Sequence, residues 1–158
     1  MKRNKKVLFF GSLINDIKKI ITKSSDTNNA LLAICKLLKD NVSYYNWVGF
    51  YLVDKSNKRE LVLGPFIGEP TKHIRIPFGN GICGQAAERK TTFVVQDIGK
   101  ETNYLACSSN VQSEIVVPIF KNGEIVGEID IDSNTFSPFT EEDRKFLENI
   151  CEIISELF

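Results

Sequence analysis

Near the start of the chain, apolar residues recur at helical spacing. Phe10, Leu13, Ile14, Ile17, Ile20 and Ile21 fall on one stripe, the three-and-four periodicity of an amphipathic helix. Residues 24–29 are polar and break it, and Leu31, Ile34, Cys35 and Leu38 then define a second helical stripe. From residue 46 the period drops to two. "NWVGFYLV" reads as a strand, "DKSNKRE" as a turn, "LVLGPF" as a second strand and "HIRIP" as a short third. "GNGICGQAAERK" carries three glycines and then small helix formers, the pattern of a loop entering a short helix. "TTFVV" is a fourth strand, and residues 97–110 form an irregular loop. "SEIVVPIF" and "EIVGEIDID" are two further strands joined by Lys121-Asn122-Gly123, a strong hairpin signal. Phe146, Leu147, Ile150, Ile153, Ile154 and Leu157 mark a last helix. Thr140 with Asp143 gives that helix a capping-box start, with Asp where Glu is preferred.

Helices at both ends of a meander of about six strands predict an α+β fold with an antiparallel sheet and the terminal helices on one face. The expected organisation is one domain over 1–158: helices in 1–42, the sheet and its loops in 46–133, and the last helix in 140–158. Strand side chains alternate between faces. Val48, Phe50 and Leu52 therefore oppose Trp47, Gly49 and Tyr51, and Ile115, Val117 and Ile119 oppose Glu114 and Val116. In the sixth strand Ile125, Gly127, Ile129 and Ile131 oppose Val126, Glu128, Asp130 and Asp132. The wholly apolar faces are expected to pack on the helices.

The opposite faces collect Trp47, Tyr51, Glu114, Asp130 and Asp132. Two readings of these acids stand open. One is a solvated sheet face, common in antiparallel sheets. The other is a pocket: aspartate is a poor strand former and two share one strand, large aromatics share their face, and the loop carrying Cys107 runs directly into Glu114. Aromatic walls, a carboxylate cluster and a thiol suit a small cationic or zwitterionic ligand.

Composition narrows the classes. Apolar residues are 42% and charged residues 25%, as in ordinary globular domains. Lys+Arg and Asp+Glu are each 20, for zero net charge, which favours neither nucleic acid nor an anionic membrane as partner. No apolar run approaches the roughly 18 residues of a membrane span. The start, "MKRNKKVLFFGSLINDIKK", is basic, but Gly11 and Ser12 break its short apolar part and no small-residue cleavage site follows. It reads as a basic tail leading into a helix, and the expected compartment is the cytoplasm. In that reducing setting Cys35, Cys83, Cys107 and Cys151 are not expected to form a structural disulfide framework. There is no C-x-x-C and a single histidine, His73, so neither metal nor cofactor is expected. Cys35 and Cys151 lie on or beside apolar stripes and read as core. His73 reads as a surface residue of the short third strand, with no evident partner.

A thiolate attacks electrophilic sulfur or carbon. Crowded carboxyls raise one another's pKa, and a protonated carboxyl is a general acid. Together they fit reduction of a sulfoxide. The thiolate attacks sulfur, the acid protonates the departing oxygen, and the cysteine ends as a sulfenic acid that a second cysteine can condense with to a disulfide. The acids also raise the thiol's own pKa, an effect that a bound cationic group or a shared proton would offset.

"NWVGFYL", "LVLGPF", "IRIPFGNGICGQAA", "SEIVVPI" and "IDIDS" strongly resemble, in order and spacing, the free methionine-(R)-sulfoxide reductases, GAF-domain enzymes that reduce the free amino acid. The likeness runs from about residue 46 to the last helix. It implies a single GAF domain with a ligand pocket on the sheet face away from the terminal helices. It implies reduction of free L-methionine-(R)-sulfoxide through a cysteine sulfenic acid and an intramolecular disulfide. Cys107 then corresponds to the catalytic cysteine and Cys83, in "GICG", to a second family cysteine. Glu114, Asp130 and Asp132 correspond to acid and substrate-binding residues, and Trp47 and Tyr51 to pocket walls. One departure stands out: many members carry a further, often resolving, cysteine where this chain has His73, so the resemblance leaves the resolving role to Cys83. The implied partners are the free amino acid and a thioredoxin-like reductant, with a homodimer admitted and no nucleic acid or membrane. The alternative is a non-catalytic GAF module that binds a small ligand and signals.

Overall fold

The computed structural model of the protein describes residues 2–106 and 108–158. Helix α1 (Lys2–Lys23) buries Phe10, Leu13, Ile14 and Ile17, the residues of its sequence stripe. The basic tail expected ahead of this helix is itself helical. Its lysine Lys6 is held by the Asp143 carboxylate at 2.5 Å, and Arg3 pairs with Glu142. Helix α2 (Thr27–Asn41) starts at Asp26, whose side chain accepts the Asn29 N–H at 2.8 Å. An N-cap oxygen of this kind satisfies a backbone donor that the helix cannot.

Six strands follow: β1 (Trp47–Val53), β2 (Glu60–Ile67), β3 (Arg75–Pro77), β4 (Phe93–Val95), β5 (Ser113–Lys121) and β6 (Glu124–Ser133). They form one antiparallel sheet in the order β3-β2-β1-β6-β5-β4. Helix α3 (Gly81–Arg89) interrupts the meander between β3 and β4, and α4 (Glu141–Ile154) closes it. The Thr140–Asp143 capping box is formed in full.

Two cores divide the sheet between its faces. On one, α2 and α4 lie on the strands and α1 packs on both helices. Val48, Phe50, Ile115, Val117, Ile119, Ile129 and Ile131 meet the helical stripes there, and the Phe10 and Phe146 rings stack with centroids 4.0 Å apart. On the other face, Trp47, Tyr51, Leu61, Ile76 and Val116 meet Ile82, Cys83, Ala86 and Ala87 of α3. That second core makes the acid-bearing face an interior surface.

Two expectations are corrected. The alternation that placed Ile125 with the helix-facing residues, and Val126 opposite them, fails at the hairpin end of β6. There Ile125 packs in the α3-side core and Val126 in the helix-side core. The cause is an irregularity in the β5–β6 ladder, where Ile119 pairs with Gly127 but Phe120 pairs with Ile125. An extra residue in one strand flips the faces beyond it. His73 also lies outside the third strand, which starts at Arg75. The His73 carbonyl accepts the Tyr51 hydroxyl at 2.8 Å instead of joining the ladder.

Candidate active site

Pairing across the central strands aligns the acids. Asp132 of β6 lies opposite Trp47 on β1 and Glu114 on β5, and Asp130 lies opposite Gly49 and Val116. Glu128 lies opposite Tyr51 and Pro118. A period of two puts all four carboxyls on the α3 side. The helix then lowers Cys83 onto them, its Sγ 3.8 Å from Glu114 Oε1.

Burial decides between the two readings of these acids. Glu114 is 6% exposed, Asp130 and Asp132 4% each, and Glu128 not exposed at all. A solvated face is excluded. Both Glu128 oxygens, Asp130 Oδ1 and Asp132 Oδ1 find no hydrogen-bond partner among the described residues. Burial, reinforced by Asp130 and opposed by the neighbouring Cys83 thiol, pushes the Glu128 carboxyl well above the usual carboxylate range. Burial and then Asp130 do the same to Asp132. Asp130 is raised by burial, with hydrogen bonding to Glu114 and Cys83 pulling the other way. The Cys83 thiol is pushed up by burial first, and then by Asp130, Glu128 and Glu114. Carboxyls raised in this way hold their protons to higher pH than free ones and can donate them. Glu128 lay on this face in the alternation pattern, but its position toward the hairpin gave no sign that it would close the cluster beside Cys83.

The aromatic walls are fixed by their polar ends. The Trp47 indole N–H donates to the Glu69 carbonyl at 2.9 Å, and its ring stacks on Phe66 at 5.3 Å. The ring lies flat because Gly49 and Gly68 leave it room: a Cβ on either would come within 2.4 Å of a ring carbon. Tyr51 is fully buried, anchored through its hydroxyl to His73. A cavity of about 460 Å³ opens beside Trp47 and Asp132, lined also by Lys39, Glu69 and Asn134. A second space, of only about 10 Å³, lies between Tyr51, His73, Cys83, Leu105, Glu114 and Asp130.

The candidate nucleophile Cys107 lies outside the described residues. The segment ahead of it is tied down by contacts that sequence patterns do not show. Asn103 Oδ1 accepts the Gly81 N–H at 2.8 Å, its Nδ2 donates to the Gly79 carbonyl at 2.7 Å, and its own carbonyl accepts Gln85 Nε2 at 3.0 Å. Gly81 has φ +64, and a Cβ there would strike the Leu105 side chain at 2.8 Å. His73 has a partner after all: its Nε2 donates to the Ala106 carbonyl at 2.9 Å. Cys35 and Cys151 sit in the helix-side core with their sulfurs turned to the carbonyls of Pro65 and Val117. Burial pushes both thiols up. They are inert packing residues, as their stripes implied.

The sequence pattern of the GAF domain matches residues 27–156. A free methionine-R-sulfoxide reductase of Saccharomyces cerevisiae is 39% identical, over 82% of this chain and 72% of the relative. One from Escherichia coli is 34% identical, over 92% and 86%. The crystal structure of the free methionine-R-sulfoxide reductase from Neisseria meningitidis in complex with its substrate superposes with a TM-score of 0.90 at 37% identity. It spans 97% of this chain and 90% of that one.

Proposed function

Because the chain belongs to the GAF-domain family and, within it, to the free methionine-R-sulfoxide reductases, which are oxidoreductases, we propose that it reduces free L-methionine-(R)-sulfoxide to methionine. The observation that carries the reading is the buried cluster of Cys83 with Glu114, Asp130 and Asp132 under the aromatic walls of Trp47 and Tyr51. Asp130 and Asp132, each with an oxygen that has no hydrogen-bond partner among the described residues, suit the ammonium group of a free amino acid, and a protonated carboxyl suits the sulfoxide oxygen.

The reaction balances with this chain's own groups. The Cys107 thiolate attacks the sulfoxide sulfur, and a carboxyl of the cluster protonates the oxygen. The oxygen passes as hydroxyl from the substrate sulfur to Cys107 Sγ: the transient sulfur–sulfur bond and the substrate's sulfur–oxygen bond break, methionine leaves with the electron pair, and Cys107 becomes a sulfenic acid. The Cys83 thiol then condenses with it, releasing water and forming the Cys83–Cys107 disulfide, which an external dithiol of the thioredoxin type reduces. His73 cannot take that redox role; it positions the segment ahead of Cys107 through Ala106. The reducing cytoplasm suits this cycle, and a homodimer is compatible with it.

The test is methionine formation from the (R)-sulfoxide with dithiothreitol, with the (S)-epimer and peptide-bound methionine sulfoxide as controls. Turnover of the free (R)-epimer alone is expected. Cys107→Ser should abolish it, and Glu114→Gln and Asp130→Asn should each lower it more than tenfold, since general acid catalysis contributes roughly 10²–10⁴-fold. Single turnover without reductant, followed by peptide mapping, should yield the Cys83–Cys107 cross-link. An active Cys107→Ser enzyme would overturn the nucleophile assignment, and a Cys83→Ser enzyme that cycles normally with thioredoxin would remove the resolving role.

A further inference from the structure

The small space beneath Leu105 is too tight for an amino acid, at about 10 Å³, yet it has the dimensions and the lining of an ion site. One ligand atom each from Cys83, Glu114 and Asp130 lie within 4.8 Å of one another, and all three residues are buried. On one tetrahedral zinc ion, sulfur and carboxylate ligands at their usual bond lengths stand about 3.5–3.7 Å apart. The 3.8 Å between Cys83 Sγ and Glu114 Oε1 needs only a small inward movement.

A second, separate observation points to a cation. Glu128, which is no member of that triad, is completely buried with neither oxygen hydrogen-bonded among the described residues. Its charge acts on Cys83, and the charge of Asp130 acts on it. A carboxyl taken out of water with no partner is costly, and a nearby positive ion offsets that cost. Asp130 lines the space, and its Oδ1 likewise has no hydrogen-bond partner among the described residues.

We propose that Cys83, Glu114 and Asp130 form a binding site for one thiophilic divalent cation, Zn²⁺ or Cd²⁺. The thiolate selects such ions over Mg²⁺ and Ca²⁺, which require shells of oxygen ligands. On binding, the Cys83 thiol proton and any protons on Glu114 and Asp130 pass to solvent, and no group changes oxidation state. Three protein ligands leave a fourth position for water. The bound ion occupies the thiol and two of the acids that the proposed reaction needs, so the loaded enzyme is blocked until a chelator removes the ion. That inhibitory consequence rests on the functional reading above; the site itself rests on geometry alone.

The experiment therefore reads binding and not turnover. Fully reduced Cys107→Ser protein is titrated with Cd²⁺, following the ultraviolet thiolate-to-cadmium band. Zn²⁺ affinity is measured by competition with a chromophoric chelator. One ion per chain is expected, with the band present although Cys107 is gone. Cys83→Ser in that background should remove the band and weaken Zn²⁺ at least tenfold. Asp130→Asn should weaken Zn²⁺ at least tenfold while keeping the band at higher cadmium. Cys35→Ser and Cys151→Ser should change neither. No band in the Cys107→Ser protein overturns the proposal without recourse to any pocket variant, and so does a band that survives Cys83→Ser. An enzyme that reduces the sulfoxide but shows no band leaves the functional reading standing and removes the metal site.

Discussion

Glu128 is fully buried with no hydrogen bond to either carboxylate oxygen among the described residues, and such a group reports its own environment through pH. Its folded pKa is raised, by burial first and by Asp130 second. An acid raised on folding contributes no penalty below its unfolded pKa, about 4.3. Stability is then lost as pH climbs from there through the folded value, because the unfolded chain ionises and the folded one resists. Glu128→Gln removes that loss while keeping the shape. Its melting temperature should exceed wild type at pH 8 by about 2–4 °C, the shift that roughly 1 kcal/mol produces in a chain of this length. The two proteins should melt together near pH 4. Calorimetry at the two pH values checks this, and an equal difference at both would show that Glu128 is not ionised against its surroundings. Glu128 also marks the limit of what residue types disclose. Alternation placed it on the acid face, but the absence of a partner is set by what α3 brings over the strand.

At the scale of elements, helix and strand periods carried most of the architecture. The stripes of α1, α2 and α4 and the two-residue period of β1, β5 and β6 each have a single way to bury their apolar face, so their layers could be read from the chain. The swap of Ile125 and Val126 could not, because a ladder irregularity is a property of the paired strands. The same is true of the contacts that hold the segment before Cys107. Asn103 joins Gly79, Gly81 and Gln85 across 24, 22 and 18 positions of sequence, and no local pattern encodes such a link. Asn103→Ala removes the side-chain bonds to Gly79 and Gly81. It should cost about 1–2 kcal/mol of local stability, in line with removing one partner of a hydrogen-bonded pair. Hydrogen exchange of the peptide covering 100–106 should quicken by about tenfold while that of β1, β5 and β6 stays unchanged. Turnover should fall with it, because Cys107 follows this segment directly. Unchanged exchange would show that contacts such as those of Gln85, His73 and Leu105 hold the segment without the Asn103 side chain.

At the scale of the whole molecule, the layers on the helix side converge on the carboxylate of Asp143. It caps α4 by accepting the Thr140 N–H at 2.8 Å, takes Lys6 from α1 at 2.5 Å, and accepts the hydroxyls of Tyr44 and Tyr45, between α2 and β1, at 2.7 and 2.8 Å. Burial alone would raise this carboxyl, but the bonds from Lys6, Thr140 and the two tyrosines outweigh it and leave the group below its ordinary value. An acid depressed on folding contributes stability that is present above its unfolded pKa, about 3.9, and is lost as pH falls through the folded one. Asp143→Asn keeps the size but cannot pair with Lys6 or accept as many donors. Breaking a buried pair on one side typically costs about 3–5 kcal/mol. The variant should therefore be less stable than wild type by roughly that amount in urea at pH 7. The gap should narrow steadily below pH 4, where the wild-type carboxylate takes up its proton. Sulfoxide reduction at 25 °C by the folded variant should stay within about twofold of wild type, since the network lies across the sheet from Cys83, Glu114 and Asp130. A gap that is constant with pH would mean that Asp143 acts through packing and not through its charge. A large loss of turnover in a folded variant would mean that the two faces of the sheet are coupled.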